Sequence, residues 1–152
     1  MSQNDLTIKK RNLPHWFLGD SVYFITFRTK GITLLEEDRA IILQHIVEGN
    51  NNFYTLFGAV IMPDHCHIIL KPDEKYSLSR ILKGIKGVTA RKINVKRNEK
   101  GSLWMDESFD RIIRDEVELI EKMNYILYNP VKNGLVDDPV LYKGLYINYD
   151  AL

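Results

Sequence analysis

The chain carries a single cysteine, Cys66, among its 152 residues, so no internal disulfide framework can staple it. No apolar run approaches the roughly 20 residues needed to cross a bilayer, and the opening residues, Met1 to Lys10, lack the apolar stretch of a secretory signal. The expectation is a protein with no membrane partner, at home in a reducing cytoplasm. Internal repeats, low-complexity tracts and Gly/Ser-rich linkers are also missing, and a chain of this length can bury roughly two thirds of its unfolded surface around one core. Residues 1–152 therefore read as one domain, with a basic arm over about residues 1–16 and a tail over about residues 135–152. An excess of one charge is missing too. The net charge of +1 excludes no polyanionic partner, because a polyanion responds to local patches more than to the total.

Those patches are present. Between Ser79 and Lys100 the chain holds Arg80, Lys83, Lys86, Arg91, Lys92, Lys96, Arg97 and Lys100, against the single acid Glu99. Lys9, Lys10 and Arg11 form a second basic cluster, whereas acids concentrate from Asp106 to Glu121 and at Asp137 and Asp138. This distribution suits a nucleic acid held at one side.

Periodicity predicts the elements. Residues 21–29, rich in aromatic and β-branched side chains, form a strand, and residues 36–48 show helical spacing through Ile41, Ile42, His45 and Ile46. After a turn at Asn50, Asn51 and Asn52, residues 53–62 form a central strand, apolar on both faces. Pro63 and Asp64 break it, and residues 65–71 return beside it as a hairpin. Residues 77 to about 95 read as a helix with the stripe Leu78, Ile81, Leu82, Ile85 and Val88; its outer side carries Arg80, Lys83 and Arg91, with Gly84 and Gly87 exposed. Residues 103–105 and 109–113 are expected as a short β pair, followed by a helix from about Glu116 that Pro130 ends near Asn129. The order β-α-β-β-α-β-α indicates an α+β fold, a ferredoxin-like or RRM-like antiparallel sheet with packed helices.

On a strand, His65 and His67 share one face while Cys66, Ile68 and Leu70 take the other, so the two imidazoles can chelate one ion without bending the backbone. On the last helix Leu119, Ile120, Met123, Ile126 and Leu127 gather on a core side, whereas Tyr125 projects among Glu118, Glu121, Lys122 and Asn129. Tyr125 and Asn129, four apart, stack on one side of that helix. Two imidazoles and an amide oxygen would leave positions open for phosphate oxygens and water, as a catalytic metal site requires. A mixed N/O set without thiolate suits Mg²⁺ or Mn²⁺, and ligand type alone leaves Zn²⁺ open. A free phenol ionises near pH 10, a deficit of ~4 kcal/mol at neutral pH, so a tyrosine nucleophile needs help; Lys122 is close enough along the helix to favour phenolate. Tyr128, near the edge of the same face, is the second candidate nucleophile.

Three ordered motifs carry a resemblance. Met62-Pro63-Asp64-His65-Cys66-His67-Ile68-Ile69-Leu70, then Phe109-Asp110-Arg111-Ile112-Ile113-Arg114-Asp115, then Tyr125-Ile126-Leu127-Tyr128-Asn129-Pro130-Val131-Lys132-Asn133-Gly134-Leu135 together resemble the single-tyrosine HUH transposases. Arg11-Asn12-Leu13-Pro14-His15-Trp16 and Tyr23-Phe24-Ile25-Thr26-Phe27-Arg28 are similar to the opening of the REP-associated tyrosine transposase branch, so the likeness spans roughly Arg11 to Val136. It implies the HUH endonuclease fold, with His65, His67 and Asn129 as metal ligands and Tyr125 as the nucleophile that cuts single-stranded DNA and stays attached to the new 5′ end. The implied partners are single-stranded or hairpin DNA, with Arg11, His15, Arg80, Lys83, Lys86 and Arg91 as candidate DNA contacts and a homodimer as a candidate assembly.

Two other readings fit part of the same pattern. One is a non-catalytic RRM-like module that binds single strands by stacking bases on Tyr23, Phe27 and Phe57. The other is a small metal-dependent hydrolase with water as nucleophile, which needs the histidine pair but not Tyr125.

Overall fold

The computed structural model describes residues 21–152; the basic arm, with Arg11 and His15, lies outside the described residues. Eight main elements follow one another: β1 (Val22–Thr29), α1 (Glu36–Glu48), β2 (Tyr54–Ile61), β3 (His65–Pro72), α2 (Leu78–Arg97), β4 (Trp104–Ile113), α3 (Glu116–Lys132) and β5 (Leu145–Ile147). Short 3₁₀ turns at Pro139–Leu141 and Tyr149–Ala151 flank β5. The five strands form one sheet in the order β4-β1-β3-β2-β5, antiparallel at every junction. The α+β expectation is borne out, and the β2–β3 hairpin falls where Pro63 and Asp64 break the chain. Among the described residues, no helix is long and apolar enough to cross a membrane.

The sheet is apolar on both sides because alternation supplies two cores. Ile25, Phe27, Leu56, Ala59, Ile61, Cys66, Ile68 and Leu70 pack under α1 and α2 with Ile42, Ile46, Ile81, Leu82 and Ile85. Val22, Phe57, Val60 and Ile69 pack under α3 with Leu119, Met123 and Ile126. At Gly58 an added Cβ would lie 3.2 Å from Met123 Cε and 3.3 Å from Ile147 Cδ1, so its absence lets α3 and β5 settle against β2. Burial of Phe27 and Phe57, both fully inside, removes two of the three stacking rings that the RRM-like reading requires.

Two expectations are corrected. The predicted β pair is a single edge strand, β4, which pairs with β1 along its length and absorbs its acidic middle at a register shift between Phe27 and Thr29. An edge strand keeps one side in water, so Asp106 and Glu107 interrupt the hydrophobic pattern without ending the strand. Helix α3 does not stop before Pro130 but continues to Lys132. Its end is a Schellman turn: Leu135 N–H donates to Pro130 O at 2.9 Å and Gly134 N–H to Val131 O at 3.0 Å, with Gly134 at a φ of 75°. The proline removes one donor in the last full turn, while Asn133 N–H and Nδ2 both donate to Asn129 O and hold the chain helical beyond it. Strand β5 is an addition that the sequence pattern did not suggest; it covers the outer edge of β2.

Candidate active site

Strand alternation and the pairing of β1 with β3 assemble the site. His65 and His67 point to the α3 side of the sheet, with ring centroids 4.9 Å apart. Tyr125, on the exposed side of α3, brings its ring to 5.3 Å from that of His67 at an interplanar angle of 69°. Phe24 joins the cluster, stacked on His67 at 5.2 Å and edge-on to Tyr125 at 6.0 Å. Lys122 precedes Tyr125 by three residues and so shares its side of α3. Its ammonium lies 5.2 Å from the Phe24 ring and 5.9 Å from the Tyr125 ring.

Each imidazole is fixed by a partner on its Nδ1. Asp64 Oδ1 lies 2.7 Å from His65 Nδ1; a carboxylate only accepts, so the hydrogen sits on Nδ1 and Nε2 is the ring nitrogen turned away from that bond. The Asp64 carboxyl is held below its ordinary range, chiefly by this hydrogen bond. His67 Nδ1 lies 2.9 Å from Thr26 Oγ1, the residue opposite it on β1. Burial above all, with the positive charges of Arg28 and Lys122 nearby, pushes the His67 pKa down to about 3, so its imidazole is neutral near pH 7. Its Nε2 is buried and has no hydrogen-bond partner among the described residues. A neutral imidazole with an unpartnered buried nitrogen is the state a divalent ion needs, and the donor set therefore fits one. Asn129 is buried on α3, one turn beyond Tyr125, and its Oδ1 accepts from Asn133 Nδ2 at 3.1 Å. Among the described residues no group of three His, Cys, Asp or Glu side chains gathers to hold an ion.

The candidate DNA contacts on α2 are not at this site. Helix α2 packs on the opposite side of the sheet, with Arg80, Lys83 and Arg91 exposed there. Arg80 lies over the Tyr76 ring at 5.5 Å. Lys86 turns inward instead: its ammonium donates to Met105 O at 2.8 Å, Asp106 O at 3.1 Å and Ser108 Oγ at 3.1 Å. It ties α2 to β4 rather than reaching outward. Cys66 faces that same core, where burial pushes its thiol up to about 12. Tyr128 is half-buried, whereas Tyr125 is 43% exposed and so can be reached from solvent.

Sequence reasoning missed Thr26, Asp64, Phe24 and Arg28. Arg28 stands opposite His65 on β1, on the site face and exposed. Alternation along β1 would have grouped Phe24, Thr26 and Arg28, but only the pairing register reveals which histidine each one meets.

An antiparallel α+β sheet bearing paired histidines next to a helix-borne tyrosine defines a class, and comparison with known proteins agrees. The model of the IS200-like transposases matches residues 23–129, and the chain belongs to that family of DNA transposases. It is 23% identical over 141 residues to a Haemophilus influenzae protein named as a REP-associated tyrosine transposase, covering 80% of this chain and 76% of that one. The fold matches a REP-associated tyrosine transposase solved with a REP hairpin, at a TM-score of 0.66 and 20% identity, over 83% of this chain and 76% of the other. It also matches a crystal structure from Deinococcus radiodurans assigned as a transposase, at a TM-score of 0.52 and 19% identity, over 74% of this chain and 93% of the other.

Proposed function

We propose that the chain cuts and rejoins single-stranded DNA at hairpin-forming repeats, with Tyr125 as nucleophile. The observation that carries this reading is the approach of the Tyr125 ring to within 5.3 Å of the His67 ring, beside an unpartnered imidazole nitrogen. In the forward step the phenol gives up its proton to solvent and the Tyr125 oxygen forms a bond to the scissile phosphorus. The bond from phosphorus to the 3′ oxygen breaks, and the departing 3′ oxygen takes up a proton. A 5′-phosphotyrosine replaces the phosphodiester, so attack by a 3′ hydroxyl reverses the step and rejoins DNA without ATP. Lys122 stands beside the phenol, where its ammonium balances negative charge at the attacking oxygen, and Arg28 adds positive charge at the edge of the histidine pair. His65, His67 and Asn129 would hold Mg²⁺ or Mn²⁺, which when bound supplies Lewis-acid polarisation of the phosphate. Arg80, Lys83 and Arg91 on α2, with Arg11 and His15 of the arm, are the proposed holders of the hairpin.

The test is a labelled hairpin oligonucleotide flanked by single strands, mixed with the protein and Mg²⁺ or Mn²⁺ and resolved under denaturing conditions. Wild type is expected to give a protein–DNA adduct, Tyr125→Phe to bind without one, and His67→Ala to lose cleavage. An adduct formed by Tyr125→Phe would transfer the role to Tyr128.

A further inference from the structure

Strand β4 carries an aromatic side chain that neither core uses. Phe109 stands opposite Thr26, and Thr26 stands opposite His67, so the three form one row across β4, β1 and β3 on the α3 side of the sheet. Strands about 4.8 Å apart put Phe109 roughly 10 Å from His67, a short reach for a DNA strand whose phosphate lies at the imidazoles. The ring is 60% exposed. Folding gains little from a ring left mostly in water, and an apolar side chain on a strand whose outer edge is unpaired among the described residues invites self-association. Arg111, two residues on and facing the same way, is held by Glu118 and does not cover it.

We propose that Phe109 is the stacking platform for an unpaired base next to the phosphate that Tyr125 attacks. The proposal rests on the tyrosine-transferase reading above and adds to it the path of the strand. Charge sets the orientation. Arg111, the charged residue that shares the Phe109 face of β4, is paired with Glu118, and Asp110 stands opposite Ile25 and faces α2, whereas Arg28 and Lys122 lie toward the histidines and the phenol. Phosphates are therefore drawn toward the phenol and the histidine pair, which leaves the uncharged base as the part of the strand nearest Phe109. Stacking of a base on an aromatic side chain tolerates any sequence, so this contact fixes position without reading identity.

The experiment places Phe109→Trp in a Tyr125→Phe background, so that DNA binds without becoming attached, and follows the indole fluorescence in excess of that which Trp16 and Trp104 give in Tyr125→Phe alone, on adding the single-strand-flanked hairpin and oligo(dT). Quenching that saturates with binding, measured in parallel by anisotropy of labelled DNA, is expected. In the Tyr125 protein, Phe109→Ala is expected to bind about tenfold more weakly, with an unchanged thermal midpoint. DNA binding without quenching, or a Phe109→Ala protein that binds as wild type does, overturns the proposal. Quenching together with the absence of any adduct in the Tyr125 protein would overturn the nucleophile assignment and leave the stacking role standing.

Discussion

A threonine hydroxyl and an aspartate carboxylate each occupy the Nδ1 of one imidazole and hold its ring in place. With Nδ1 of His65 bound to Asp64 and Nδ1 of His67 bound to Thr26, both Nε2 atoms are left for a ligand. Partners of this kind tune metal affinity by about 10- to 100-fold. Thr26→Val keeps the shape and removes the hydroxyl, so Mn²⁺ binding followed by electron paramagnetic resonance is expected to weaken by roughly tenfold; unchanged binding would show that Thr26 does not orient the ring. The histidine pair was legible because alternation on a strand is local. Thr26 was not, because its contact with His67 spans 41 residues and exists only once β1 has paired with β3 in this register.

At the scale of elements, one buried carboxylate joins two helices. Asp38, at the start of α1, accepts from Leu35 N–H at 2.8 Å and meets Lys96 at 2.9 Å and Arg97 at 2.6 Å from the end of α2. Burial works against its charge, but these partners outweigh it and hold the carboxyl below its ordinary range. A carboxyl depressed in the folded state contributes stability that is present above its unfolded value, near 3.9, and is lost as pH falls through the lower folded value. Asp38→Asn is therefore expected to lose about 2–3 kcal/mol at pH 7, somewhat below the cost of breaking a fully buried pair because Lys96 and Arg97 reach solvent. Urea titrations should show that gap narrowing below about pH 4. The helices themselves were legible from spacing, whereas Pro130 points to the wrong end for α3. Asn133 and Gly134 carry the better signal, since a left-handed residue closes a helix more firmly than a proline in its last turn.

At the scale of the molecule, the sheet separates two sets of side chains. The phenol and imidazoles lie under α3, and the exposed cations of α2 lie across the sheet from them. Lys83 and Arg91 are expected to bind phosphates: their double replacement by alanine should weaken hairpin binding and lower the slope of log affinity against log salt by about two, with little effect on stability. Lys86→Ala should do the reverse, costing stability with little change in salt slope, because its ammonium is engaged with β4. The basic run alone could not separate these lysines, since only the packing of α2 against β4 turns one of them inward.

Cys66, the chain's one thiol, lies sealed within β3, a strand with neighbours on both sides. Maleimide and other sulfhydryl reagents can reach it only when the middle of the sheet comes apart, so its alkylation rate is a clock for opening of the whole fold, and a dye attached through a cysteine introduced at the surface will report from that position alone.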